Sequence, residues 1–275
     1  MKGRMTSPSP FPAPRLHRLT DRQTARIRLY CVPPSGTGSE FFLPWVTAFS
    51  ELFDLVAVDL PGRGTRAGEP SITDIGWAAT GIAEAIATDL THRPPADGFY
   101  AVFGHSFGAL LAFEATHRLR SDAHTEPDLL GLSAVPPPNR DGLDDHIARN
   151  LGSGIAAITD VMGWEEPTDS ALTRTVYTPF LADAVALLQH TRQPWPPLRA
   201  RLSVFGGLDD PMVDPESLPE WSPCTTADTR VHRFPGGHHY LRAQAAEVAD
   251  RLTGDLLAAY RNPAATGRGP DGPFA

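Results

Sequence analysis

The sequence predicts an α/β fold: a mostly parallel central sheet with helices on both faces. Three observations predict it. Apolar runs of strand length alternate with segments whose apolar residues recur at helical spacing, and that alternation demands crossover helices between parallel strands. An aromatic-rich run, Phe99 to Phe103, breaks at Gly104-His105-Ser106-Phe107-Gly108 and resumes as a helical pattern through Ala109, Leu110, Phe113 and Leu119. Glycine- and proline-rich loops follow the strands, and those bearing Ser106, an acidic pair and a histidine pair open at one sheet edge. The 275 residues suit one large domain or two small ones, with ample length for a core and no internal repeat.

In order along the chain, residues 1–24 carry prolines and mixed charge without periodicity, which predicts a flexible arm. The folded domain is expected over residues 25–262. Arg26 to Val32 alternates and then turns apolar, as a first strand does, and runs into Pro33-Pro34-Ser35-Gly36-Thr37-Gly38-Ser39. A helical pattern around Phe42, Trp45, Val46 and Phe49 follows, then a strand at Leu55-Val56-Ala57-Val58. Ile75, Ala79, Ile82, Ala83 and Ile86 share one face of a helix ahead of the Phe99 strand. A further strand, Leu129 to Ser133, comes after the Ser106 helix.

Proline clusters at 136–138 and 194–197 bracket an insertion of about residues 138–195, because clustered prolines cannot continue a helix. Inside it, Leu172, Val176, Leu181, Val185 and Leu188 are spaced as the apolar side of short helices. Such a stripe packs into a core or folds over a cleft as a lid, and one helix can do both. The sheet resumes at Leu202 to Phe205 and ends with Thr229 to Phe234. A last helix covers about Ala243 to Tyr260, and residues 263–275 form a Gly- and Pro-rich tail that is expected to be loose.

Composition narrows the partners. A formal net charge of −8 and the absence of a long basic tract argue against nucleic acid and give no general attraction to anionic membranes. Cys31 and Cys224 are far apart and match no metal or redox spacing, so reduced thiols are expected. No secretory h-region is evident, and no apolar run approaches the roughly 18 residues of a membrane span. A soluble cytoplasmic protein is expected.

The chemistry centres on Ser106. Gly104 and Gly108 allow close backbone approach around a strained, exposed serine, and the following helix points its N-terminal N–H groups at the same place. A serine hydroxyl needs a base within hydrogen-bond reach, and an imidazole base needs a carboxylate to orient it. Parallel-sheet hydrolases supply these in the order serine, acid, histidine. Of Asp209 and Asp210, Asp210 is favoured because it stands in a Gly-x-x-Asp-Pro-x-Val arrangement, with Asp209 a solvated neighbour. Of His238 and His239, His238 is favoured because it directly follows Gly236-Gly237. His105 is expected to pack the turn. The N–H of Phe107 is expected to be one oxyanion donor and that of Ser35 the other, with Gly36 next in line. No metal-ligand set is present, and no Gly-Lys-Ser/Thr supports a phosphate cradle.

Together, the loop from Cys31 to Gly38, Leu60-Pro61-Gly62-Arg63 with Arg66, Gly104 to Ala109, Gly206 to Pro211, and Phe234 to Leu241 resemble the type II thioesterases that accompany polyketide synthases and nonribosomal peptide synthetases. The resemblance spans about Leu29 to Leu241. It implies an α/β-hydrolase fold with an inserted helical lid, a Ser106–Asp210–His238 triad, and no cofactor. It also implies hydrolysis of acyl groups from the phosphopantetheine arm of acyl or peptidyl carrier proteins, an editing step for the assembly line. A monomer is expected. Leu181, Val185 and Leu188 are the residues expected to meet the substrate from the lid. Two departures stand out: Pro33-Pro34-Ser35-Gly36-Thr37 replaces the family's Pro-His-Ala-Gly-Gly, and Pro179-Phe180-Leu181-Ala182-Asp183 only approximates its Pro-x-Leu-Arg-Ala-Asp, with Ala182 in the place of the arginine. The competing expectations are a general carboxylesterase acting on a small metabolite, a chain-releasing cyclising enzyme, and a catalytically silent homologue.

Overall fold

The strands in chain order are β1 (Arg15–Arg18), β2 (Ile27–Val32), β3 (Phe53–Asp59), β4 (Phe99–His105), β5 (Leu129–Ser133), β6 (Arg201–Gly207) and β7 (Thr229–Phe234). They come from a computed structural model that describes residues 11–138 and 170–262, the side chains of 170–176 excepted. Of the expected insertion, residues 139–169 lie outside the described residues, as do residues 1–10, the tail at 263–275 and the side chains of Leu172 and Val176.

The sheet order is β1-β3-β2-β4-β5-β6-β7. All neighbours from β3 to β7 are parallel, and β1 alone pairs antiparallel, Arg15 against Asp59 and Arg18 against Val56. β2 to β6 are buried along their whole length. That is why they read as continuous apolar runs and not as clean alternation: a parallel sheet carries helices on both faces.

Those helices are α1 (Trp45–Ala48), α2 (Ile75–His92), α3 (Phe107–Asp122), α4 (Ser170–Gln189), α5 (Tyr240–Ala243) and α6 (Ala245–Arg261). Side chains alternate between two cores. Tyr30, Val32, Tyr100 and Val102 pack with Ile82, Ile86, Leu111 and Leu119 of α2 and α3. Leu29, Cys31, Ala101 and Phe103 pack on the other face with Phe42, Trp45, Leu252 and Leu256. The period-two switch along β2 and β4 is that of any pleated strand.

The flexible arm expected over residues 1–24 is corrected at Arg15–Arg18 by β1. Arg15–Arg18 caps the outer edge of β3, whose backbone groups would otherwise lie unpaired. Arg18 bonds to Asp54 at 2.7 Å and also pairs with Asp89, while Thr20 Oγ1 donates to Asp54 and accepts from Leu55 N–H at 2.8 Å. A half-exposed edge strand held by charges shows no apolar period, so its sequence reads as irregular. Two other elements differ in detail. The segment around Phe42 and Trp45 is a 3-10 turn at Ser39–Phe42 and a single-turn α1, split around Pro44. The last helix is broken at Gln244 into α5 and α6.

The start of α2 offers a local test. Asp74 caps it, its carboxylate accepting from Trp77 N–H at 2.8 Å. Asp74→Ala is expected to cost about 1 kcal/mol and to lower the melting temperature by about 2–4 °C, read by calorimetry.

Candidate active site

Ser106 sits between β4 and α3 with φ 55° and ψ −122°, a conformation that an L-residue holds only under strain. The two flanking glycines explain how it persists. A Cβ on Gly104 would lie 2.2 Å from Gly108 O, and one on Gly108 would lie 2.2 Å from Val32 O and 2.4 Å from Pro33 O. The turn is thus clamped between its own helix and the end of β2. Ser106 N–H donates to Ser133 O at 2.7 Å, which ties the apex to β5.

Three loops from separate parts of the chain then meet. Ser106 Oγ lies 2.8 Å from His238 Nε2. On the far side of the ring, His238 Nδ1 lies 2.9 Å from Asp210 Oδ2 and 3.1 Å from Oδ1. All three side chains are buried. Asp210 follows β6 and His238 follows β7, and the two loops are fastened together. Leu208 N–H donates to Phe234 O at 2.9 Å, and Asp209 N–H to Gly236 O at 3.0 Å. A Cβ on Gly207 would meet Gly236 O at 2.4 Å, so the loops touch backbone to backbone. Asp210 Oδ1 also accepts from Met212 and Val213 N–H, at 2.8 and 3.2 Å, which orients its carboxylate. Asp209 points to solvent, and of the acidic pair it is Asp210 that lies against His238.

His239 takes no part in this series. Its ring stands edge-on to His238 at 5.2 Å, and burial pushes its imidazole down to about 3. His105 packs the turn as expected. It stacks on Phe41 at 5.7 Å, and its Nδ1 lies 2.7 Å from Ser133 Oγ, which in turn meets Tyr240 OH at 2.6 Å. Burial holds the His105 imidazole well below its ordinary value. His117, stacked on Trp195 at 4.7 Å, is pushed down to about 3 by burial first and the cations of Arg120 and Arg118 after it. A histidine kept neutral by the fold takes up its proton only on unfolding, so the unfolded state binds more protons below about pH 6.5. Stability is therefore expected to fall as pH drops from about 6.5 towards 3, steepened by all three rings. Urea midpoints at pH 7.5 and pH 5 check this, and His117→Phe should flatten the difference.

The Phe107 N–H is the first of α3, where no intrahelical acceptor exists and the helix dipole favours negative charge. In the loop after β2, Gly36 N–H is given to Asp183 Oδ2 at 2.9 Å. Among the described residues no acceptor is found for Ser35 N–H, while Ser35 Oγ donates to the same Asp183 oxygen at 2.9 Å. Asp183 also receives both arms of Arg63, at 2.7 and 2.8 Å.

That carboxylate overturns the expected role of Leu181, Val185 and Leu188. These three are 40%, 39% and 46% exposed. At 100° per residue they lie on the side of α4 away from Asp183. The buried side carries Tyr177, Phe180, Asp183, Ala184 and Leu187 instead. Apolar spacing alone assigns the charged position to the solvent face; the pairing with Arg63 reverses that. An apolar pocket does open between α3 and α4, lined by Leu110, Phe113, Val135, Leu187 and Trp221, with Glu114 and His190 at its edge. Of its lining residues, Leu110 lies one helical turn along α3 from Ser106.

The described residues hold no cluster of His, Cys, Asp and Glu suited to a metal ion and no helix long and apolar enough to cross a membrane. Cys31 and Cys224 are free thiols. The chain is 29% identical over 257 residues to a probable cadicidin biosynthesis thioesterase of Streptomyces griseus, covering 88% of this chain and 67% of the relative. Its backbone resembles the type II thioesterase BorB of the borrelidin biosynthetic cluster, with TM-score 0.71 and 28% identity over 88% of this chain and 97% of the other. It resembles the RedJ thioesterase of the prodiginine pathway of Streptomyces coelicolor equally, with TM-score 0.71 and 29% identity over 84% and 91% of the two chains. The fold is the α/β-hydrolase fold of these thioesterases. Residues 27–256 match the thioesterase domain model, and the chain belongs to that family.

Proposed function

We propose that this chain hydrolyses acyl thioesters on the phosphopantetheine arm of carrier proteins, as an editing thioesterase of a polyketide or nonribosomal peptide assembly line. The observation that carries the reading is the unbroken series Ser106 Oγ–His238–Asp210, with contacts of 2.8 and 2.9 Å, in a chain of the thioesterase domain family. A structural neighbour from the colibactin NRPS/PKS pathway, ClbQ, 25% identical with TM-score 0.72, supports the class of assembly line.

His238 Nε2 accepts the Ser106 proton as Oγ attacks the thioester carbonyl carbon. Asp210 holds the Nδ1–H tautomer and stabilises the imidazolium. The N–H groups of Phe107 and Ser35 receive the oxyanion. As the tetrahedral intermediate collapses, the C–S bond breaks and the imidazolium proton passes to sulfur, releasing the pantetheine thiol. Water then attacks the acyl-serine with His238 as base, and Ser106 regains its proton as the free acid departs. These steps call on no cofactor. The apolar pocket between α3 and α4 suits an acyl chain. The same reading has the protein act as a cytoplasmic monomer that meets its carrier transiently.

The test is release of acids of different chain length from a panel of acylated carrier proteins, read by intact mass, beside the matching acyl-pantetheine and simple esters. Carrier or pantetheine thioesters are expected to be cleaved well ahead of the esters. Equal or faster cleavage of simple esters would replace this reading with a general carboxylesterase.

A further inference from the structure

Asp183 stands outside the Ser106–His238–Asp210 series, yet it holds the loop beside it. It comes from α4, 148 residues along the chain from Ser35, and its side chain and that of Arg63 are each 1% exposed. A carboxylate taken out of water is costly unless its charge is balanced and its lone pairs are filled. Arg63 balances the charge through two parallel N–H···O bonds. If the pair served only to fasten α4 to the loop after β3, nothing further would be needed. Instead Oδ2 also takes the Ser35 hydroxyl and the Gly36 N–H, both at 2.9 Å. Two successive residues of the loop after β2 are thereby fixed on one oxygen. Gly36 adopts φ 71°, so the chain turns sharply there. The base of the same loop presses on the serine turn, where the Val32 and Pro33 carbonyls fill the space of a Cβ on Gly108.

We infer that Asp183 is a positioning residue for the oxyanion-binding loop. By holding the Ser35 hydroxyl and the Gly36 N–H, it fixes the backbone that presents the Ser35 N–H as the second oxyanion donor, and Arg63 lets the buried carboxylate do so. A side chain of α4 therefore sets one of the two donors. This inference rests on the thioesterase reading of Ser106 and adds a residue to it.

Three variants test it. Asp183→Asn keeps the shape and removes the charge. Arg63→Gln with Asp183→Asn restores a neutral hydrogen-bonded pair. Ser35→Ala leaves the ion pair whole and removes one bond to it. The readouts are kcat and KM on an acyl-pantetheine thioester, and Kd for two inhibitors: a trifluoromethyl ketone that forms an oxyanion on Ser106, and the matching unreactive thioether. Asp183→Asn is expected to lower kcat about 10- to 100-fold with KM within about twofold, the scale of a misplaced oxyanion donor. Ketone affinity should fall by the same factor and thioether affinity should hold. Ser35→Ala should move kcat and ketone affinity in the same direction by about three- to tenfold, and the double variant should recover part of the Asp183→Asn loss. Where Asp183→Asn fails to fold, Ser35→Ala decides the matter. Folded variants with unchanged kcat and ketone affinity, or with ketone and thioether affinities falling together, overturn the inference alone. A wild-type protein inert towards the thioester overturns the functional reading and this inference with it.

Discussion

Ser106→Ala and His238→Ala are each expected to lower thioester turnover by about 10⁴- to 10⁶-fold, the range seen when a member of a serine–histidine–acid series is removed. The double variant should lose almost nothing more. The two groups act in one proton transfer, so either loss disables it. What survives is whatever the Phe107 and Ser35 N–H groups and the pocket contribute through binding alone. The contacts of 2.8 Å from Ser106 Oγ to His238 and 2.9 Å from His238 to Asp210 make the series ready without rearrangement. A fluorophosphonate should therefore label the resting wild-type protein at Ser106 and leave Ser106→Ala untouched. Steady-state hydrolysis and intact mass read both outcomes. Near-normal turnover by Ser106→Ala, or multiplicative losses in the double variant, would mean that the two groups do not share one step.

Much of this site was legible because its signals are local. Gly104 and Gly108 flank Ser106 at the spacing of a strand–turn–helix, with an apolar strand before and a helical pattern after, and Gly236-Gly237 and Pro211 mark the neighbours of His238 and Asp210 in the same way. The parallel sheet followed from the alternation of short apolar runs with helical segments, since strands buried on both faces read as continuous apolar runs. What escaped was set by charge pairing across long separations. Arg63 and Asp183 are 120 residues apart and have no spacing to betray them. Without Arg63, helical periodicity places Asp183 on the solvent side of α4 and sends Leu181, Val185 and Leu188 inward, the reverse of what is found. β1 was missed for a related reason: Arg18, bonded to Asp54 and Asp89, secures a strand that buries little apolar surface.

The largest stability effect is expected at Gly108, where a single methyl group is enough. In Gly108→Ala the new Cβ would fall 2.2 Å from Val32 O and 2.4 Å from Pro33 O, both main-chain atoms. Neither can swing aside as a side chain does. Val32 is locked in register opposite Gly104 in the sheet, so the strain passes to the β2 end, to α3 or to both. The expected loss is about 3 kcal/mol or more, at the upper end for overpacking, or about 6–12 °C in melting temperature. Gly254→Ala is the matched control. Gly254 lies exposed within α6, and a Cβ there meets nothing within 4 Å. Alanine should stabilise that helix by about 0.5–1 kcal/mol through its better propensity and a less flexible unfolded chain. The two identical substitutions thus carry opposite signs, which separates steric exclusion at the elbow from any general effect of replacing glycine. Turnover should divide them as well. Gly108→Ala moves the N–H of Phe107 relative to the loop bearing Ser35, so kcat should fall even well below its melting temperature, while Gly254→Ala keeps full activity. A Gly108→Ala protein as stable and active as the wild type would mean that β2 and α3 stand further apart than the 2.2 Å contact requires.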